Sequence, residues 1–327
     1  MEAIKTNISI VTVPFPAQGH LNQLLHLALN LSFHGLAVHY AAFAPHIQQA
    51  KLRLQGWPDS ALDNLHFHNL PIPSFSCPPP DPNSTISFPV HLQPLFDASE
   101  LVLPHIASLL HSLSATSRRI VVIFDRFVSF AAREASTLPN AESYCFQCVP
   151  ISQDLVFLGH DGPTADLLQS HGLTIPSLDG CITEDFFAMM IGHYKMSGLE
   201  YSGILMNTCR FMEGEFIDLL AQQPDFIGKR HFAIGPLNPT TPVRANGQRH
   251  LSLEWLDDQP SRDWDRRNEI LLAGEIEEAI KKVMVYDSGD EIKQRTKKLG
   301  EDVMQAAADG GSSNIELLGF IAHVTRP

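Results

Sequence analysis

The amino-acid sequence predicts an α/β fold whose main part is a doubly wound parallel sheet of Rossmann-like type. Strand-length apolar segments alternate with helical patterns over residues 1–236, which is typical of repeated βαβ units. After Pro236 the periodicity is helical only. We therefore expect a sheet domain over residues 1–236, a linker over 237–262 and an all-helical segment over 263–327. Because amphipathic helices need a surface to cover, this last segment should pack on the first domain.

Six segments carry the strand prediction. Each is five to seven residues long, is rich in β-branched and aromatic residues, and is followed by turn or helix signals. The fourth is a continuous apolar run, which favours a strand buried on both faces of a parallel sheet. The predicted strands are residues 8–13, 37–43, 65–70, 120–124, 142–148 and 203–207.

A helix is predicted directly after the first strand and a short turn. Its apolar residues share one face, and Gly35 provides a stop signal. His20 then lies in the first turn, where the helix dipole disfavours an imidazolium and keeps a neutral ring able to accept a proton. The alternative is that His20, one of 16 histidines, only caps the turn. The apolar positions are Leu21, Leu24, Leu25, Ala28 and Leu31.

Asp125 directly follows the fourth predicted strand, so it should lie at the same edge of the sheet as His20. A carboxylate that bonds one nitrogen of a histidine fixes its tautomer and stabilises the ring as it gains charge. No G-x-S-x-G elbow accompanies the pair, so the base should activate a hydroxyl of a substrate. The alternatives are that Asp125 caps the next helix near Phe127 or pairs with Arg126.

Five segments together resemble plant UDP-dependent glycosyltransferases of the GT-B fold. Within that family the similarity is greatest to the group that transfers glucose or xylose to cytokinins such as zeatin. The segments are VPFPAQGHLNQLLHLA (13–28), IVVIFDRFVSFAAREA (120–135), ILMNTCRFMEGEFID (204–218), FAIGPL (232–237) and LEWLDDQP (253–260).

The resemblance implies an inverting transfer from UDP-glucose or UDP-xylose to a hydroxyl of a small, cytokinin-like acceptor, with no further cofactor. His20 matches the histidine that deprotonates the acceptor, and Asp125 matches its supporting aspartate. Gln18 and Gly19 precede His20 in the same turn and are expected to contact substrate. The resemblance also implies apolar walls for the acceptor pocket, formed by Phe15, Phe88, Phe146, Phe186, Phe187 and Met190. Ordinary core packing is the alternative for most of these residues.

The family's long donor-binding signature, with its HCGWNS-like core, does not occur in this sequence. The segment after Pro260 resembles the part of the family that follows that signature. Residues 263–327 therefore resemble an all-helical remnant of the family's second domain, and UDP-sugar binding and turnover should be impaired. The alternatives are a non-catalytic module that binds a small molecule or a partner, a product of mis-splicing and, more distantly, a hydrolase.

Three helices are predicted in the final segment. Apolar residues recur at helical spacing over residues 274–284 and 287–308. A last helix follows Gly311, where Ser313 and Glu316 have the spacing of a capping box.

Composition limits the possible partners. A net charge of −13 and a pI near 5.6 argue against nucleic acid and acidic membranes, and no apolar run is long enough for a membrane span. We expect a cytoplasmic protein with five reduced cysteines and no obligate protein partner. Cys145 and Cys148 have C-x-x-C spacing but lie in a predicted strand, so core packing is expected and no metal site is predicted.

Overall fold

The structure is a computed structural model, and it describes residues 7–54, 57–72, 74–86, 90–159, 164–194, 201–237 and 287–327. The strands are β1 Ile8–Val13, β2 Ala37–Phe43, β3 Leu65–Leu70, β4 Arg119–Asp125, β5 Ala141–Gln147, β6 Gly203–Met206 and β7 Arg230–Ala233. The α-helices are α1 Gln18–Phe33, α2 Ala44–Lys51, α3 Gln93–Asp97, α4 Leu103–Thr116, α5 Phe130–Ser136, α6 Ile151–Gly159, α7 Thr164–Ser170, α8 Glu184–Tyr194, α9 Arg210–Ala221, α10 Asp287–Ala307 and α11 Ser312–Thr325.

The seven strands form one parallel sheet in the order β3-β2-β1-β4-β5-β6-β7. This confirms the predicted doubly wound α/β class. The strand order reverses between β1 and β4, and ligands of such folds bind at the carboxyl ends of the strands at this switch point. All six predicted strands are present. The prediction missed β7, which has only four residues and is fully buried only at Ala233.

Alternate residues of the central strands pack into two separate apolar cores. Val11 and Val122 face the helices on one side of the sheet, including α4 and α5. Ile10 and Val121 face the other side, which is covered by α1, α2 and α11. The continuous apolar run in β4 therefore reflects burial on both faces, as predicted for a central parallel strand.

The last helix, α11, belongs to the same compact unit as the sheet. Its Phe320 packs edge to face on Tyr144 of β5, with ring centroids 5.1 Å apart. Glu316 accepts hydrogen bonds from the backbone N–H of Ala233 and from Arg210 Nε, the latter at 2.5 Å. The predicted capping box is wrong, because Glu316 bonds to β7 and α9, and Gly311 is the N-cap without any side-chain bond.

The described residues form two compact units. The first contains the sheet and its helices up to Leu237 together with 306–327, and the second contains the described residues 287–305 of α10. The helices predicted over 287–308 and after Gly311 are present. The predicted helix over 274–284 and nearly all of the 237–262 linker lie outside the described residues. Within the described part of the chain, no helix is long and apolar enough to cross a membrane.

Three histidines lie together on β2 and β3. His39 is paired with His66 in register, and its Nδ1 lies 2.8 Å from Nε2 of His68. Burial and the neighbouring histidines lower the pKa of His39 to about 4, and burial together with His66 also lowers the pKa of His68. The folded state thus favours neutral rings. Their contribution to the free energy of unfolding is complete above pH ~6.5 and is lost as the pH falls towards 4, because the rings must then gain protons.

We therefore predict that His39→Gln reduces the acid sensitivity of the fold. Its midpoint of denaturant unfolding should fall less than that of the wild type between pH of about 7 and about 5, because one buried ring no longer has to gain a proton. His34→Gln, at an exposed position after α1, is the matched control and should leave the acid sensitivity unchanged. An equal loss of stability in His39→Gln and wild type would contradict the interpretation.

Candidate active site

The turn between β1 and α1 places His20 in the first turn of the helix, as predicted. The backbone N–H of Ala17 donates to the carbonyl of Phe15 at 2.8 Å, which closes the turn. The backbone N–H of His20 then donates to the carbonyl of Ala17 at 2.9 Å, and α1 begins at Gln18. Ala17 is the N-cap of α1 and has no side chain that could accept a hydrogen bond. The first backbone N–H groups of α1 therefore receive no side-chain cap from this position.

The structure brings His20 and Asp125 into contact. His20 Nδ1 lies 2.7 Å from Asp125 Oδ2, although the residues are 105 positions apart. The contact forms because β1 and β4 are neighbours in register, with Val13 opposite Phe124, so that both strands end at the same level. The Asp125 side chain is 1% exposed and that of His20 is 17% exposed. The carboxylate is therefore buried beneath a ring that solvent still reaches.

Asp125 accepts hydrogen bonds from three groups. Besides His20, the backbone N–H of Phe127 donates to Oδ1 at 3.0 Å, and the Cys148 thiol donates to Oδ2 at 3.0 Å. The capping alternative is thus also correct, since the same carboxylate caps its own turn and holds the histidine. Pairing with Arg126 is not found, because that guanidinium bonds to Gln147 and Asp154 instead.

His20 and Asp125 each stabilise the charged form of the other. Burial lowers the pKa of His20, but the charge and hydrogen bond of Asp125 outweigh it, and the pKa is raised. Burial raises the pKa of Asp125, but His20, Cys148 and the Phe127 N–H outweigh it, and the pKa is lowered. The sequence-based expectation that the helix dipole governs His20 is therefore wrong. A carboxylate in contact has a larger effect than the partial charge of a helix end.

This arrangement decides which nitrogen of His20 can act as a base. An ionised carboxylate only accepts hydrogen bonds, so the proton of a neutral ring lies on Nδ1, facing Asp125. Nε2 then carries the free lone pair and can take a proton from a hydroxyl group. Burial and the Asp125 carboxylate raise the pKa of the Cys148 thiol well above its usual range, so it remains a donor.

An aromatic cluster, formed by Phe15, Phe96, Phe127 and Phe186, lies on one side of the His20 ring. The ring centroid of His20 lies 5.4 Å from that of Phe15 and 5.7 Å from that of Phe127. Phe186 of α8 completes the cluster at 6.1 Å from Phe127 and 5.9 Å from Phe96. Phe15, Phe96 and Phe127 are buried, so this lining excludes water on one side of the base, and the partly buried Phe186 is the ring that a planar ligand can reach.

An open cleft lies beside the same turn. It is a small groove open to solvent, and its walls come from the ends of β1, β2 and β3 and from the segments around Ser99 and Val128. Ligand sites in α/β proteins have this mainly apolar character, with a few polar groups that orient the ligand. The lining residues are Val13, Pro14, Pro16, Ala41, Ala42, Phe43, His46, Leu70, Ser99, Val102 and Val128.

The other predicted pocket residues lie in different places. Phe187 is partly buried and Met190 fully buried in the core on the same face of the sheet as Phe15. Phe146 is 0% exposed and packs in the core on the opposite face, a position that does not suit a pocket wall. Phe88 lies outside the described residues.

Gln18 and Gly19 both lie at the start of α1. The side chain of Gln18 donates to Gln49 Oε1 at 2.5 Å and accepts from Arg53, so it is held by α2 and the residues after it. A Cβ placed on Gly19 would meet nothing within 4 Å, and the residue has no positive φ. The space at Gly19 is therefore open to a ligand, whereas Gln18 already has protein partners.

Sequence reasoning missed three residues of the site, namely Cys148, Phe127 and Phe96. Core packing is confirmed for Cys145, but for Cys148 it is incomplete, because its thiol also bonds to Asp125. Phe127 had a signal, since it follows Asp125 by two positions and so shares the strand end. Phe96 had none, because α3 is short and its approach to Phe15 depends on the tertiary fold.

Comparison with known proteins identifies the family. Residues 6–239 match the model for the glycosyltransferase N-terminal domain. The chain belongs to this glycosyltransferase family. It is 45% identical over 262 residues to cis-zeatin O-glucosyltransferase 1 of Zea mays, covering 78% of this chain and 56% of that protein. It is 36% identical to zeatin O-glucosyltransferase of Phaseolus lunatus, over 78% of this chain and 54% of that protein. The chain thus spans little more than half the length of these relatives.

Solved structures confirm the fold. A Medicago truncatula protein complexed with UDP-glucose superposes with a TM-score of 0.65 at 17% identity, covering 100% of both chains. A UGT transferase from Siraitia grosvenorii in complex with UDP gives the same TM-score and identity, covering 98% of this chain and 100% of that chain. At this level of identity the likeness establishes the GT-B fold class.

We predict that Asp125→Asn lowers the pKa of His20. Without the negative charge, burial remains as the main influence on the imidazole, and burial disfavours its charged form. The measurement is an NMR titration of the histidine ring signals in metal-free buffer, with His20 assigned by substitution. Asp97→Asn removes the same charge from an exposed position on the neighbouring α3 and should leave the titration of His20 in place. A rise in the pKa of His20 in Asp125→Asn would contradict the assigned role of the carboxylate.

Proposed function

We propose that this glycosyltransferase is a UDP-sugar-dependent O-glycosyltransferase of the inverting type, acting on a small hydroxylated acceptor such as zeatin. The observation that carries the proposal is the contact of His20 with the buried Asp125 at the switch point of the sheet. The identity to zeatin O-glucosyltransferases supports the choice of acceptor and sugar class.

In the proposed reaction, His20 acts as the general base. The acceptor hydroxyl donates to Nε2 of His20, and its proton moves to that nitrogen as the oxygen attacks the anomeric carbon of the sugar. The bond between that carbon and the diphosphate oxygen breaks, and UDP leaves with the electron pair. Asp125 stabilises the imidazolium that forms. General-base catalysis of this kind contributes about 10²–10⁴-fold to the rate.

The acceptor is proposed to lie against the aromatic cluster, next to the open cleft. A purine ring stacks well on phenylalanine faces, and an isoprenoid tail suits the apolar walls of the cleft. In this position the hydroxyl at the end of the tail can reach Nε2 of His20. We expect the partly buried Phe186 to contact the acceptor, with Phe15, which is 2% exposed, lying against the His20 ring and offering the acceptor only an edge, and Gly19 leaves room for the reacting groups. Phe187 and Met190 support this wall from behind.

The donor is proposed to be UDP-glucose or UDP-xylose, the sugars named in relatives that act on zeatin. Since this sequence lacks an HCGWNS-like segment, we expect the chain by itself to transfer sugar slowly. Poor positioning of a donor can raise a barrier by about 7–11 kcal/mol. A cytosolic location is part of the proposal, supported by the five cysteines, all of them free thiols.

The first test measures transfer from radiolabelled UDP-glucose or UDP-xylose to zeatin. We expect wild-type turnover to be slow and to fall by about 10²–10⁴-fold in His20→Ala, because the base is lost. His34→Ala, at the exposed end of the same helix, should keep the wild-type rate. Product that forms equally in His20→Ala would contradict the proposed base. Zeatin binding without any product would favour the non-catalytic binding module instead.

The second test measures zeatin binding by isothermal titration calorimetry. We predict that Phe186→Ala weakens binding by about 1 kcal/mol, or roughly fivefold, because one aromatic contact is lost. The control is Phe33→Ala on α1, where the ring is 52% exposed and belongs to neither apolar core. If Phe186→Ala and wild type bind zeatin with equal affinity, the aromatic cluster is not part of the acceptor site.

A further inference from the structure

Three chemically different ligand atoms converge at the candidate active site. His20 Nδ1, Asp125 Oδ2 and Cys148 Sγ all lie within 4.8 Å of one another. His20 comes from the start of α1, Asp125 from the end of β4 and Cys148 from the residue after β5. The three are carried by neighbouring elements of one rigid sheet, so their proximity does not depend on a flexible loop.

We propose that His20, Asp125 and Cys148 form a binding site for a thiophilic divalent cation, Zn²⁺ in particular, and that its occupancy switches off the base. The protein supplies one imidazole nitrogen, one carboxylate oxygen and one thiolate. Three protein ligands leave the fourth tetrahedral position of Zn²⁺ for water or a substrate atom.

The distances fit this site after a small adjustment. Zinc–ligand bonds of about 2.0–2.3 Å place neighbouring ligand atoms of a tetrahedron roughly 3.5 Å apart. At present the nitrogen is 2.7 Å and the sulfur 3.0 Å from Asp125 Oδ2, so each must retreat by less than about 1 Å. The nitrogen and the sulfur lie within 4.8 Å of each other and must close to the same spacing. The Phe127 N–H holds Oδ1, which fixes the carboxylate with Oδ2 facing the His20 nitrogen and the Cys148 sulfur.

The donor set selects the kind of metal. A thiolate and an imidazole favour Zn²⁺ over Mg²⁺ and Ca²⁺, which prefer oxygen ligands. The ion takes the place of the thiol proton, which goes to solvent, and of the proton between His20 and Asp125, which the neutral ring then carries on Nε2 instead of Nδ1. Access is open from the side of His20, whose side chain is 17% exposed, and Cys148 is only partly buried.

The consequence for the base follows from the chemistry of imidazole. When Zn²⁺ occupies Nδ1, the proton of the neutral ring must lie on Nε2, which then has no free lone pair. The same ring cannot bind the ion and accept the proton of an acceptor hydroxyl. This inhibitory consequence rests on the proposed function, whereas the binding of the metal does not.

The test uses Co²⁺ as a spectroscopic substitute for Zn²⁺ on the purified full chain. We expect one Co²⁺ per chain, a thiolate-to-metal charge-transfer band, and loss of that band when Zn²⁺ is added. Cys148→Ser should abolish the band, and Cys181→Ser, which changes another partly buried thiol, should keep it. His20→Ala should weaken Co²⁺ binding by at least about tenfold, while His68→Gln, in the other histidine cluster, should not. Circular dichroism checks that each variant is folded.

The outcomes separate this inference from the proposed function. A charge-transfer band that persists in Cys148→Ser overturns the site, as does an affinity that His20→Ala leaves unchanged, since a thiol would then bind alone. Metal binding by a chain that transfers no sugar supports the site and contradicts the proposed function. Where turnover is measured, Zn²⁺ should suppress it, EDTA should restore it and Mg²⁺ should leave it unchanged. Turnover that continues at saturating Zn²⁺ would overturn the switch.

Discussion

The buried carboxylate of Asp125 is the constraint around which this end of the molecule is arranged. An ionised group that is 1% exposed is very costly unless donors surround it. The chain supplies a ring nitrogen, a backbone N–H and a thiol from separate parts of the sequence. Removal of any one leaves a charge with an unsatisfied lone pair. The hydrogen bonding that makes the carboxylate tolerable is therefore also what orients His20.

The sheet makes this convergence possible. In a parallel sheet every strand ends at the same edge, and the chain leaves β1 and β4 towards helices on opposite faces. A gap therefore opens between the ends of β1 and β4. The turn before α1 and the turn after β4 meet in this gap. The register of Val13 opposite Phe124 sets their relative height to within one residue. A shift of one residue would turn the Asp125 side chain to the other face and break the pair.

Local pattern was sufficient for six of the seven described strands and for the position of His20, because apolar periodicity and burial on both faces are properties of short segments. It was insufficient where tertiary contacts compete. Glu316 had capping-box spacing, yet it accepts hydrogen bonds from Arg210 and from the N–H of Ala233 on β7, and the helix has no side-chain cap. Cys148 resembled a core residue, and only the alignment of β5 beside β4 reveals that its thiol meets Asp125. Contacts between distant segments depend on register, which periodicity does not encode.

The strength of the base and the stability of the fold are coupled through the same pair. Burial opposes charge on both His20 and Asp125, and each group stabilises the charged form of the other. Breaking a buried ion pair by removing one partner costs about 3–5 kcal/mol, because the remaining charge is left without compensation. Loss of His20 should cost less than this, because its ring is partly exposed and water can replace it, whereas Asp125 lies deeper. A loss of activity at Asp125 therefore has a folding component that a loss at His20 largely lacks, and only stability measured beside rate separates the two.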